Sequence, residues 1–288
     1  MNRIVVCGAI GALLLVACGG GGSAKKTAAT GTSTSTSTSV EPTSTAVTGT
    51  GTTVLGKAAA TKSGASGSAT VNGQPAGKYT PPAGATPAKP AAPGTYHYNM
   101  SGSTTVASQT SAAPPVTPLI VDPPSGTRQH SAWDQRDAAG NGSVSETTLD
   151  YQPEGVYLVE IKVTANRGAL GQQTFDFVAN PPALGAPTGV KPGTTAEFDL
   201  AGSGTNIHVH LDFVRTETLT IGGQNAETMF AHQVATFSGA INGTMTSDSN
   251  VSQQYDLYVK DHSVTDLTAY GIKAHTDYTS TLQKLTPD

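Results

Sequence analysis

The sequence predicts an all-β fold: one antiparallel meander sheet of about ten to twelve strands, preceded by a disordered tether. Three observations predict it. Past residue 94 the apolar residues recur with period two and not 3.6. Gly-Gly and Asn-Gly pairs stand between the alternating runs, and such pairs permit the positive φ that tight hairpins require. No stretch carries the apolar stripe of a convincing amphipathic helix, so there are no helical crossovers and neighbouring strands run antiparallel. A short helix finds room only near residues 182–190 or 264–270.

In chain order, residues 1–17 read as an export signal. Arg3 supplies a positive end, and Ile4 to Val16 is apolar or Gly throughout. That run falls short of the roughly 20 apolar residues that span a bilayer as a helix. It ends in Leu15, Val16, Ala17 and Cys18, which resembles the lipobox of bacterial lipoproteins. The resemblance implies cleavage before Cys18, a diacylglyceryl group on its thiol, and acylation of the new amino group with chains such as palmitate. Two or more acyl chains, at about 0.8 kcal/mol per buried methylene, make a stable anchor. Cysteine usage agrees. Cys7 and Cys18 are the only two in the chain, so the mature protein has no pair to form an internal disulfide.

Residues 18–93 are Gly, Ser, Thr, Ala, Pro and scattered Lys, with Ser and Thr alternating from Thr32 to Ser39. Such a composition buries too little apolar surface to offset the entropy of ordering, and it reads as a lipid-anchored disordered tether. A flexible chain of that length has an end-to-end distance on the order of 45–50 Å. Its task is spacing. The tether carries six lysines against Glu41, whereas the rest of the mature chain carries 9 basic against 19 acidic residues, a net of −10. An acidic head excludes a nucleic-acid grip, which needs a basic face.

Residues 94–288 form the β domain. Tyr157, Val159, Ile161 and Val163 alternate with Leu158, Glu160 and Lys162, and Ile207, Val209, Leu211 and Phe213 alternate with His208, His210 and Asp212. Each is a strand with one buried face. Asn141-Gly142 separates Arg128–Asp137 from Val144–Tyr151, Gly222-Gly223 separates 207–221 from 226–240, and Asn242-Gly243 leads into the next strand. The runs Arg215 to Met229 and Ala235 to Thr244 resemble uncharacterised actinobacterial β-rich lipoproteins, whose strands are in turn similar to the LolA/LolB-type lipoprotein carriers. That resemblance spans about residues 95–285. It implies a strongly curved sheet or half-barrel, with an apolar concave side that in the carriers holds acyl chains.

Candidate chemistry is sparse. His208 and His210 place two imidazoles on one strand face about 7 Å apart, the spacing of a zinc or copper pair. A pairing sum of 445 about the Gly222-Gly223 turn puts His210 opposite Ala235 and Phe213 opposite His232, leaving His232 as a third ligand candidate. A solvated polar face explains the same residues. Gly51 to Lys57 nearly matches a phosphate loop but lacks the Ser/Thr that holds magnesium. Asp137 to Gly142 resembles a calcium loop, yet Ala139 and Thr148 occupy ligand positions, so a hairpin turn is the better reading. Asp134 with Asp137, and Glu197 with Asp199, read as solvated strand edges. No catalytic elbow, His-Glu-x-x-His motif or nucleophilic cysteine occurs.

The expectation is a non-enzymatic surface lipoprotein without a cofactor, on the extracytoplasmic face of the cell membrane. Its partners are the membrane through Cys18 and either an apolar ligand or an envelope protein. A surface adhesion or envelope scaffolding module is the alternative, and an extracytoplasmic hydrolase with a spatially assembled site the third. A deep apolar cavity separates the first from a filled core, which favours the second.

Overall fold

The computed structural model describes residues 69–166, 171–252, 254–269 and 271–288. The export segment, Cys18, the Ser/Thr run and the stretch Gly51 to Lys57 lie outside the described residues. Two short strands, β1 (Thr70–Val71) and β2 (Gln74–Pro75), and a 3-10 turn at Ala76–Lys78 come first. Then follow β3 (Gly94–Val106), β4 (Gln109–Ala112), β5 (Val116–Val121), β6 (Arg128–Asp134), β7 (Gly142–Gln152) and β8 (Gly155–Asn166). The second half is β9 (Gln172–Pro187), β10 (Thr194–Gly202), β11 (Thr205–Ile221), β12 (Gln224–Gly239), β13 (Ile241–Ser252), β14 (Leu257–Ala269) and β15 (Ile272–Leu282). Residues 182–187 and 264–269 are strand, and no α-helix occurs among the described residues.

Twelve strands, β3 and β5 to β15, form an antiparallel meander in chain order, and β15 pairs back onto β3. The curved sheet expected from the sequence is therefore a closed barrel. The seam runs from Ala274 opposite Val106 to Leu282 opposite Tyr98. The C-terminal tail extends it, with Gln283 N–H donating to His97 O and Asp288 N–H to Thr95 O, both at 2.9 Å. Inside the seam, Gly102 lies so close to Asp277 that an added Cβ would stand 2.0 Å from its carbonyl oxygen.

Alternation decides which side chains face inward. On β11, Ile207, Val209, Leu211 and Phe213 are at most 1% exposed, and their neighbours point outward. Eight strands already give a barrel that side chains just fill. A round twelve-strand barrel would be wider than that, yet its inner side chains are buried at a few per cent. The inner side chains therefore fill the space between them, as one continuous cluster drawn from strands β3 to β15. The inner surface of β8 to β11 is apolar, from Ile161 and Phe177 to Phe198 and Leu211. That of β13 to β15 is largely polar, with Ser247, Ser249, Asp261, Ser263, Thr276 and Ser280 all buried.

Among the register shifts along the wall, those on β8 and β11 bear on the faces expected from the sequence. On β8, Leu158 and not Val159 packs inward, because the register shifts between Leu158 and Glu160. On β11 the shift falls between Phe213 and Arg215, where Val214 is the extra residue and stands 44% exposed. The expected sum of 445 holds from the Gly222-Gly223 turn to Arg215 opposite Phe230. Beyond the bulge it drops by one, so His210 faces Val234 and Asp212 faces His232. Asn242-Gly243 lies inside β13, where the Asn242 side chain braces the turn by bonding both N–H and C=O of Gly239.

The segment 69–93, assigned from composition to the tether, belongs to the folded unit. Its cause is local. Pro181 and Pro182 remove donors from β9, and the direct β9–β10 ladder is short, with Ala201 opposite Val178. β1 occupies the adjoining edge of β10, Thr70 opposite Glu197 and Val71 opposite Ala196. Asn72 extends the contact in both directions with Thr195. Val71, Ala76 and Leu184 then bury one another as a small separate cluster. Tyr79 donates to Thr188 O at 2.7 Å, and the segment next crosses the barrel end where β3 and β6 begin.

Candidate functional site

The three histidines singled out in the sequence lie on the outer wall and do not converge. His208 Nδ1 is 2.8 Å from Asp199 Oδ1, and His210 Nδ1 is 2.8 Å from Glu197 Oε1. His210 Nε2 also lies 3.2 Å from Asp212 Oδ1. His232 Nδ1 is 2.7 Å from Asp248 Oδ1. Each imidazole is thus held by a carboxylate of an adjacent strand, in the geometry of a cross-strand pair. Among the described residues no group of three His, Cys, Asp or Glu side chains is placed to hold a metal ion. Burial alone would lower the His210 pKa, but its bonds to Glu197 and Asp212 and their charges together raise it.

The carboxylates read as strand edges have local partners. Asp134 is bonded by the Arg136 side chain, with Nε at 2.8 Å, and that bond holds its carboxyl below the usual range. Asp137 accepts from the N–H of Ala139 and of Asn141, both at 2.9 Å, which closes the 135–141 hairpin loop. Glu197 and Asp199 are engaged with His210 and His208.

A pocket of about 70 Å³ lies inside the barrel near the end crossed by the N-terminal segment. Tyr98, Trp133, Tyr151 and Tyr258 line it with Leu119 and Leu149, and Gln129, Ser145 and Thr147 add polar points. The alternation of β3 and β6 aims Tyr98 and Trp133 inward, with ring centroids 5.1 Å apart. Trp133 Nε1 donates to Thr117 Oγ1 at 2.9 Å, and Tyr98 donates to Tyr258 O at 2.8 Å. Burial pushes the Tyr98 phenol well above its ordinary range. Gln129 fastens Ala91 at the rim: the Ala91 N–H donates to Oε1 at 2.9 Å, and Nε2 donates to Ala91 O at 2.8 Å.

Deeper on the polar wall, Asp261 is fully buried. Ser247 and Ser249 donate to its Oδ1 at 2.5 and 2.6 Å. Burial nonetheless raises its pKa, because desolvation outweighs these bonds. Sequence reasoning missed this residue, although Val259, Asp261, Ser263, Thr265 and Leu267 share one period-two face. The pocket was not legible at all, since its lining comes from five strands.

No family model and no curated protein matches the chain. Among solved structures, a Bacteroides fragilis protein described as exported and as having a YmcC-like fold is similar at 12% identity. That likeness covers 69% of this chain and 98% of that one, with a TM-score of 0.37. The hypothetical lipoprotein YmcC from Escherichia coli is similar at 13% identity over 65% of this chain and 87% of that one, with a TM-score of 0.29. Both likenesses are too distant to bear on function.

Proposed function

We propose that this protein is a lipid-anchored, extracytoplasmic envelope module that acts without catalysis, through the outside of a filled barrel. The observation that carries this reading is the interior. An apolar cavity that holds one benzene is about 150 Å³, and the pocket at the barrel end has about 70 Å³. An acyl chain needs far more. The outer wall is polar and charged, with ion pairs such as Lys162–Glu146 at 2.7 Å, so it suits water and not the apolar band of a membrane-spanning barrel. The anchor rests on the signal and lipobox reading of residues 1–18. A filled barrel on a spacer fits scaffolding or adhesion better than carriage.

A second reading, capture of a small apolar ligand or of one end of a lipid, draws on the aromatic lining at Trp133 and Tyr98. One experiment separates the two. The full chain is purified from membranes in detergent and weighed by native mass spectrometry, beside Cys18→Ser. The expected result is a covalent lipid mass lost in the variant, with no non-covalent cargo after organic extraction. Stoichiometric extractable lipid would overturn the filled-barrel reading, and an unchanged mass in Cys18→Ser would overturn the anchor.

A further inference from the structure

The outer wall carries a belt in which carboxylates and imidazoles alternate from strand to strand. Glu197 on β10 meets His210 on β11, and Asp212 beside it stands opposite His232 on β12. His232 meets Asp248 on β13, which stands opposite His262 on β14, and His262 Nε2 is 3.0 Å from Asp277 Oδ1 on β15. A separate group lies nearer the barrel end at which β3 and β6 begin. His130 on β6 lies 2.7 Å from Asp122 and 3.7 Å from Glu146 on β7, and Glu146 binds Lys162 on β8. Above and below the belt, His208 pairs with Asp199, His275 with Asp266 at 2.8 Å, and His97 with Asp288 at 3.3 Å across the barrel seam. All seven histidines of the chain therefore have a carboxylate within 3.3 Å.

Other groups face these histidines. His208 and His275 look across to Thr236 and Thr105, and His97 to Pro118. Cations are few: Lys260 and Lys273 stand two residues from His262 and His275 on the same strands, Arg128 two before His130, and Lys284 shares Asp288 with His97. From residue 69 onward the chain has 11 basic and 19 acidic residues. Protonating seven imidazoles would bring its charge from −8 to −1 and so relieve most of its self-repulsion.

We propose that the belt is a pH-responsive clasp, in which proton uptake by the imidazoles in mildly acidic surroundings turns neutral contacts into ion pairs across the strand boundaries and tightens the barrel. A group whose folded pKa is raised, as for His210, adds stability that is fully present below the unfolded value. That stability is lost as the pH rises through the folded value. Single exposed pairs contribute little, and the effect comes from the number acting together.

The test is the thermal unfolding midpoint of the full chain in detergent, by circular dichroism at pH 5.5 and 8.0 in low salt. The midpoint at pH 5.5 is expected to be higher by about 5 °C, from several weak pairs in a domain of this size. The triple variant His210→Asn, His232→Asn, His262→Asn should lose about half of that shift. Burial of Asp261 gives a pH dependence of the same sign, so Asp261→Asn is measured alongside and should keep the shift. Where the triple variant does not fold, 1 M NaCl replaces it, because screening at that strength erases exposed pairs. A wild-type midpoint no higher at pH 5.5 would overturn the proposal. So would a shift that survives both the triple variant and salt, or one that vanishes in Asp261→Asn.

Discussion

Replacing Trp133 by Ala tests whether the barrel is filled or is built around a site. The indole is 6% exposed, leans on Tyr98, and donates to Thr117. Truncating a buried Trp costs about 3–5 kcal/mol. Two features place this site near the lower end. The pocket already borders one side of the ring, so fewer contacts are lost there. Thr117 also retains a partner, since its hydroxyl reaches the Met100 sulfur at 3.1 Å. The expected loss is about 3 kcal/mol, and about 1–2 kcal/mol for Trp133→Phe, which keeps a ring but gives up the hydrogen bond. Trp133 is the only tryptophan, so urea unfolding is followed by far-ultraviolet circular dichroism and not by fluorescence. A loss below about 1 kcal/mol would mean that the ring stands against solvent or ligand and not against protein. The filled-barrel argument would then fail.

The other predictions concern the two places where the wall is completed. Val71→Asp puts a charge into the cluster with Ala76 and Leu184 and should release β1 from β10, read as rapid hydrogen exchange at Thr195 and Glu197 with the rest of the barrel protected. Uniform loss of protection would show instead that the segment is integral to the whole fold. Gly102→Val forces a side chain against the backbone of β15. It should lower stability by more than about 3 kcal/mol or abolish folding, as measured by urea midpoint, and a near-wild-type midpoint would contradict the close approach at the seam.

Much of the wall was legible because a strand writes its two faces into the sequence at every second residue. The β11 face from Ile207 to Phe213 and the Gly222-Gly223 hairpin are where the pattern put them. What periodicity cannot carry is a count error. The single extra residue at Val214 moved the histidines by one place against β12, and Val159 did the same to one end of β8. Nor could composition see that residues 69–93, poor in apolar side chains, have a vacant strand edge and the Gln129 amide waiting for them. Asp261 was hidden for a different reason. A carboxylate on an inward face contradicts the rule that assigns faces, unless the neighbouring serines are read with it.

In this barrel all but one of the twelve strand pairings join neighbours along the chain, and the remaining one joins residues as distant as Tyr98 and Leu282. Chain-neighbour hairpins cost little loop entropy, so the wall can grow strand upon strand in the order of synthesis. The last step is different in kind. Until β15 arrives, β3 is a bare edge with unpaired amides, open to any other extended chain nearby. The window for aggregation therefore stays open until the two ends meet. A chain cut short anywhere before residue 272 would never leave it.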